Sequence, residues 1–200
     1  MWSTIQLKNI AKNSLIDKRH TEEQIKNIVN SDENSKDRKC KVYLLHGEMT
    51  DEELHATYMH EKVKAFVSFT HGEGFGLPLF EAAYCGLPVI APGWSGQVDF
   101  LMDPEGNEFF YNVSYDIQPV QKEAEWKGVI DAGSMWAYAR EKSAKEKMRE
   151  CYNDIISGAP MANCEYAIKL QERFSENKLY SDFVNSVESL STEQNSQVIV

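Results

Sequence analysis

The sequence predicts an α/β fold: a Rossmann-like parallel sheet with flanking helices, plus helical extensions at both ends. Three observations predict it. Short apolar runs at 40–47, 64–69 and 87–92 alternate with helix-length segments at 50–61 and 77–86. Those runs are nearly continuous rather than alternating, as strands buried on both faces of a parallel sheet are. The glycine-dense run Gly72-Glu73-Gly74-Phe75-Gly76 falls between the second run and the second helix, at the carboxyl end of a strand, where open sheets of this kind bind ligands.

At 200 residues and 42% apolar content the chain suits one domain with extensions. The expected division is a helical segment and polar loop over 1–39, a Rossmann-like domain over 40–155, helices over 156–190 and a flexible tail over 191–200. A net charge of -10 repels phosphate backbones and anionic lipid, so neither nucleic acid nor a membrane surface is an expected partner. The four cysteines, Cys40, Cys85, Cys151 and Cys164, show no zinc or CxxC spacing and read as reduced core thiols. No run reaches the length of a membrane span, and Met1-Trp2-Ser3 opens no signal-peptide pattern. A cytoplasmic location is the expectation.

The elements follow in order. Ile5, Leu7, Ile10, Leu15, Ile25, Ile28 and Val29 mark two short amphipathic helices interrupted by charge at Asp17 to His20. The stretch 30–39 is polar throughout and reads as an exposed loop. CKVYLLHG (40–47) has strand composition and ends at glycine, and TDEELHATYMHE (50–61) has a Thr or Asp cap with acids in its first turn. KAFVSF (64–69) and LPVIAP (87–92) are strands, with the helix LPLFEAAYCG (77–86) between them. One strand or a pair is expected in 108–120, a helix from Ser134 to about Asp154, and a last helical stretch over 161–188, broken near Ser175 to Asn177. Trp136, Tyr138 and Met148 read as core or interface rather than site.

Pro78 fits a first helical turn, which starts that helix at Leu77 and leaves its free N–H groups and positive dipole end beside the glycines. Glycine allows a backbone to approach a ligand closely. Glu81 lies one turn into the helix and leans back over the loop carrying Glu73, so both carboxylates can face one cleft and accept from sugar hydroxyls. The bland reading is a loop acid and a helix acid near its N-terminus; the surrounding glycines favour a site. Other motifs fail. GxGxxG needs glycine at Leu77, and a P-loop needs a Gly-Lys-Ser/Thr that is absent. GWSGQ misses the GxSxG elbow at Gln97, and no Asp-x-Asp pair offers to hold a divalent ion.

The run Thr70 to Ala82, with Cys85-Gly86-Leu87-Pro88-Val89-Ile90-Ala91 after it, resembles the C-terminal domain signature of retaining GT-B glycosyltransferases of the GT4 type. Glu73 and Glu81 match the E-x7-E motif of that family. VYLLHGEMTDEELHATY and GWSGQVDFL resemble its strand-turn-helix and the loop after its proline-rich strand, so the likeness covers about 41–102 and, more weakly, reaches about 150. The resemblance implies a GT-B C-terminal half, with 40–155 as its nucleotide-sugar-binding domain, a UDP- or GDP-sugar donor and metal-independent, retaining transfer.

Carried over by position, Glu73 is the catalytic carboxylate facing the donor sugar. Gly74, Phe75 and Gly76 offer N–H groups to the sugar and Leu77 to the phosphates, while Glu81 accepts from the ribose. Gly47 and Met49 lie near the base. His71 reads equally as a sugar or phosphate contact and as a partly exposed loop histidine, and Ser95 with Gly96 equally as site and as helix cap. The family also carries an Arg and a Lys early in this domain, whereas Lys8, Lys12, Lys18 and Arg19 lie here on helical sequence. A separate N-terminal acceptor domain or a partner chain is therefore expected. The rival readings are a non-catalytic nucleotide-sugar-binding or interaction module, and a different nucleotide-binding Rossmann enzyme with a chance E-x7-E.

Overall fold

The computed structural model describes residues 14–31, 40–159 and 162–195, without the side chains of 162–164 and 190–195. The chain divides into two compact units, Met1–Leu54 and His55–Val200.

In the first unit, helix α1 (Leu15–Ser31) runs unbroken through Asp17 to His20. The expected interruption is absent: charged residues break an apolar pattern but not a helix, and Asp17 sits in the first turn, where a negative charge is favoured. The part of the expected helices marked by Ile5, Leu7 and Ile10, and the loop over 32–39, lie outside the described residues. No strand forms over 40–47; Leu44 makes a single β-bridge while exposure still alternates along the run. Its alternation suits an extended chain, but a strand needs a ladder partner as well. Thr50 then caps helix α2 (Asp51–Tyr58): its Oγ1 accepts from the Glu53 amide at 3.2 Å, and Glu53 Oε2 accepts from the Thr50 amide at 2.9 Å.

The second unit is built on a parallel sheet. Strands β1 (Phe66–Val67), β2 (Val89–Pro92) and β3 (Tyr111–Val113) lie in that order, with Phe66 opposite Val89 and Ile90 opposite Tyr111. All of β2 is buried, as its uninterrupted apolar sequence requires. Between β1 and β2 runs helix α3 (Leu77–Tyr84), beginning at the residue the sequence indicates. The short helix α4 (Val98–Leu101) follows β2.

Of the one strand or pair expected in 108–120, the pair is present, as β3 and β4 (Tyr115–Pro119). The helix expected from Ser134 is corrected at its start: 135–139 forms strand β5 (Met135–Ala139), antiparallel to β4, and helix α5 (Glu141–Ser157) begins only after Arg140. Trp136 and Tyr138 flank the fully buried Ala137, a period of two that the helical reading of this stretch overlooked. Helices α6 (Ala162–Arg173) and α7 (Glu176–Asn195) are separated at Phe174 and Ser175, beside the expected break.

Helix α5 packs Ala144 and Cys151 onto Ile90 and Val113. Burial pushes the Cys151 thiol up to about 11, so it stays protonated in the core. Cys85 is half-buried and Cys40 exposed, so the reading of these cysteines as core thiols holds in full only for Cys151; the Cys164 side chain lies outside the description. Tyr111 OH donates to Asp154 Oδ2 at 2.8 Å and fastens the end of α5 to β3. Helix α6 covers α3 and α4: Tyr166 stacks on Phe109, and Gln171 donates to the Tyr84 carbonyl at 2.9 Å. Among the described residues, no helix is long and apolar enough to cross a membrane.

Beneath the glycine loop lies an aromatic cluster. Phe100 is fully buried, with ring centroids 5.0 Å from Phe75 and 5.3 Å from Phe80, and Phe174 closes it at 4.8 Å from Phe80. Truncating so enclosed a ring leaves a cavity. Phe100→Ala is expected to lower unfolding stability by about 3–5 kcal/mol, read in urea; a loss under about 1 kcal/mol would mean the cluster does not hold the loop down.

Candidate functional site

Two loops leave the carboxyl ends of neighbouring parallel strands and interlock. The first, 68–76, follows β1; the second, 93–97, follows β2. Ser95 Oγ donates to the Glu73 carbonyl at 2.7 Å and accepts from the Glu73 amide at 3.3 Å, while the Gly96 amide donates to the same carbonyl at 3.0 Å. A Cβ on Gly96 would stand 2.1 Å from the Gly74 carbonyl oxygen, so only glycine permits this approach. Ser95 itself takes a left-handed φ of 68° to make the clasp, a conformation costly for a residue with a side chain. Ser95 begins a 3₁₀ turn without donating or accepting as its cap; its hydroxyl is used on the facing loop.

The clasp presents a row of donors. Gly76 caps α3 with φ 91°, which places no side chain over the helix end. The amides of Gly74, Phe75, Gly76 and Leu77 make no hydrogen bond to any described residue. With the dipole end of α3 behind them, these N–H groups suit an anionic or hydroxyl oxygen. The Phe75 side chain turns the other way, into the aromatic cluster, and anchors the row.

Glu73 emerges half-buried beside this row, and its carboxylate makes no hydrogen bond or ion pair among the described residues. Glu81 behaves differently. Its Oε2 accepts from Tyr58 OH at 3.1 Å. Burial and the adjacent Glu81 charge push the Tyr58 phenol up, so it stays the donor and holds the carboxylate in one orientation. Burial, with help from Glu81, also raises the Cys85 thiol, whose Sγ lies 3.6 Å from His55 Nδ1.

His71 lies against the β4–β5 hairpin. The Ala137 amide donates to the His71 carbonyl at 3.1 Å, His71 Nδ1 stands 2.8 Å from the Ala137 carbonyl, and the ring is flanked by Trp136 and Tyr138. Thus Glu73, Gly74, Phe75, Gly76, Leu77 and Ser95 come together in one clasped arrangement, with His71 at its root and Glu81 one turn into α3. Gly47 and Met49 are half-buried in the first unit.

Three residues of this arrangement, Tyr58, Trp136 and Tyr138, escape the sequence reading, and Gly96 enters it only beside Ser95. Gly96 was legible in part, since Gly93 and Gly96 bracket Trp94 and Ser95 in GWSG. Tyr58 carried no local signal, reaching Glu81 from a separate helix. Trp136 and Tyr138 read in the sequence as core or interface, and their strand alternation is the signal that points to them.

A protein-family model described as Glycosyl transferases group 1 matches residues 8–118, more than half of the chain. The match takes in α1, which the sequence reading placed outside the family-like segment, and ends within β4. No curated protein matches the chain.

Two outcomes are expected. Gly96→Ala pushes the loops apart and costs on the order of 1–3 kcal/mol, with amide exchange speeding up at Gly96 itself; unchanged protection there would refute the clasp. For Tyr58, stability from the raised pKa is fully present below the unfolded tyrosine value of about 10 and is lost as pH rises towards the folded value. Alkaline destabilisation should therefore be shallower in Tyr58→Phe than in the parent chain; parallel curves above about pH 10 would show that the pair is not coupled to folding.

Proposed function

This chain belongs to the glycosyl transferases group 1 family, and from that premise we propose that it forms the donor-binding half of a retaining, metal-independent glycosyltransferase using a nucleotide sugar. The observation that carries the reading is the row of unpartnered amides from Gly74 to Leu77 beside an unpaired carboxylate at Glu73.

The roles follow from charge. When the glycosidic bond to the diphosphate breaks, negative charge grows on the leaving oxygen and positive charge on the anomeric carbon. The N–H groups near Leu77, with the N-terminus of α3, answer the first. Glu73, held in place by its own backbone rather than by a side-chain partner, answers the second. Glu81 gives one oxygen to Tyr58 and keeps the other for a ribose hydroxyl. Because the backbone of the amide row and of Glu73 and the Glu81 carboxylate are held before ligand arrives, little of them is left to reorganise. The acceptor site belongs to a separate domain or partner chain, and the chain acts in the cytoplasm.

The second reading, a non-catalytic nucleotide-sugar-binding module, draws support from the cations: Lys18 and Arg19 lie exposed on α1 rather than after a strand. Transfer or hydrolysis of a nucleotide sugar by the full chain would remove it.

Thermal unfolding with UDP, GDP and ADP and their sugar conjugates tests the donor reading. Ligand at about 100 times Kd stabilises by about 2.7 kcal/mol, a rise of roughly 5–10 °C for a chain of this size. The rise is expected with one nucleotide, diminished in Glu81→Gln and retained in Glu73→Gln, whereas transfer by an enzyme completed with an acceptor domain is abolished in Glu73→Gln. Full transfer by the Glu73 variant would overturn the assignment.

A further inference from the structure

We propose that the β4–β5 hairpin is a working part of this site, fixing His71 in the tautomer whose Nε2 accepts a hydrogen bond from a hydroxyl of the donor sugar. The inference rests on the donor-binding reading, and it concerns Met135–Ala139, beyond the stretch that the family model matches.

The tautomer follows from the partner. A carbonyl oxygen has no proton to give, so the 2.8 Å contact between His71 Nδ1 and the Ala137 carbonyl requires Nδ1 to carry the hydrogen. In the neutral ring Nε2 then holds a lone pair. Ala137 also donates its amide to the His71 carbonyl at 3.1 Å, so backbone and ring of one residue are both tied to the same strand residue.

The ring is held on its faces as well. Trp136 stacks on it at 5.1 Å and 9°, and Tyr138 meets it at 4.3 Å and 47°. Both flank Ala137, so every contact comes from one short strand. Tyr138 is itself fastened by its hydroxyl to the Pro119 carbonyl at 3.3 Å, and Arg140 pairs with Asp116 through Nε at 2.9 Å at the base of the hairpin. A half-turn flip of the ring would put Cδ2 where Nδ1 stands and lose the Ala137 bond.

Nε2 has no partner among the described residues, and His71 is only half-buried, two residues before Glu73. Between them Gly72 is exposed and has no side chain to cover the site. A lone pair there repels a phosphate oxygen, which is also an acceptor, and selects an O–H. That assigns Nε2 to the sugar rather than to the diphosphate. Trp136 and Tyr138 are positioning residues, acting on the ligand through the imidazole.

The variant His71→Asn tests this on the full chain, because the Asn amide still donates to Ala137 while the acceptor at Nε2 is gone. Calorimetric titration should give an unchanged Kd for the nucleoside diphosphate that stabilises the parent chain, and about a tenfold weaker Kd for its hexose conjugate. Imidazole ¹⁵N spectra at about pH 8.5, above the ordinary histidine range, should show a protonated Nδ1 and bare Nε2 in the parent chain. Trp136→Ala should mix the tautomers and Trp136→Phe restore one. Equal weakening of both ligands, weakening of neither, or a protonated Nε2 in the parent chain overturns the inference alone. Failure of the parent chain to bind UDP, GDP or ADP overturns the donor-binding reading, and this inference with it.

Discussion

The contact of Gly96 with the Gly74 carbonyl is the constraint on which the rest of the site depends. Two loops meet there because β1 and β2 are adjacent and parallel, so the chain leaves both at the same edge of the sheet. Backbone meets backbone only because position 96 has no side chain. Ser95 then bonds both the amide and the carbonyl of Glu73, which leaves the residue's direction little freedom. The left-handed backbone of Ser95 is the local strain that the arrangement carries, of a kind that persists where surrounding contacts over-determine it.

Glycine alone would make such a loop mobile, since it loses the most backbone entropy on ordering. Phe75 supplies the compensation. It stands between Gly74 and Gly76 in sequence, and its ring enters the cluster of Phe80, Phe100 and Phe174. The Gly-Phe-Gly unit therefore divides its labour: the glycines keep the backbone bare, and the aromatic ring ties that bare backbone to the core. Core burial and donor presentation are thereby parts of one structural device, with Phe174, just past α6, meeting the rings of Phe75 and Phe80.

What could be read from the sequence was what local chemistry decides. Pro78 with the preceding glycine placed the start of α3 at Leu77, and the apolar run to Pro92 gave the buried central strand. What could not be read depends on partners distant in the chain. The 40–47 run has strand composition and alternation but forms no ladder over its length, because pairing belongs to the neighbour as much as to the strand. At Met135–Ala139 helical spacing of larger residues concealed a period of two that the Ala137 contact with His71 settles. The site followed the same division. Its glycines and acids were legible in one short stretch, whereas Tyr58 and the hairpin enter through hydrogen bonds spanning 23 and 66 residues.

Those two distant hydrogen bonds do the same kind of work. Tyr58 occupies one oxygen of Glu81, and Ala137 occupies the protonated nitrogen of His71. In each case one polar atom is committed to the protein, and the chemistry of the other is decided: both that remain are acceptors. The amides from Gly74 to Leu77 are all donors. Donors thus gather at the N-terminus of α3 and acceptors at the side chains around it. Under the donor-binding reading this separation matches a ligand with anionic oxygens in its middle and hydroxyls on either side.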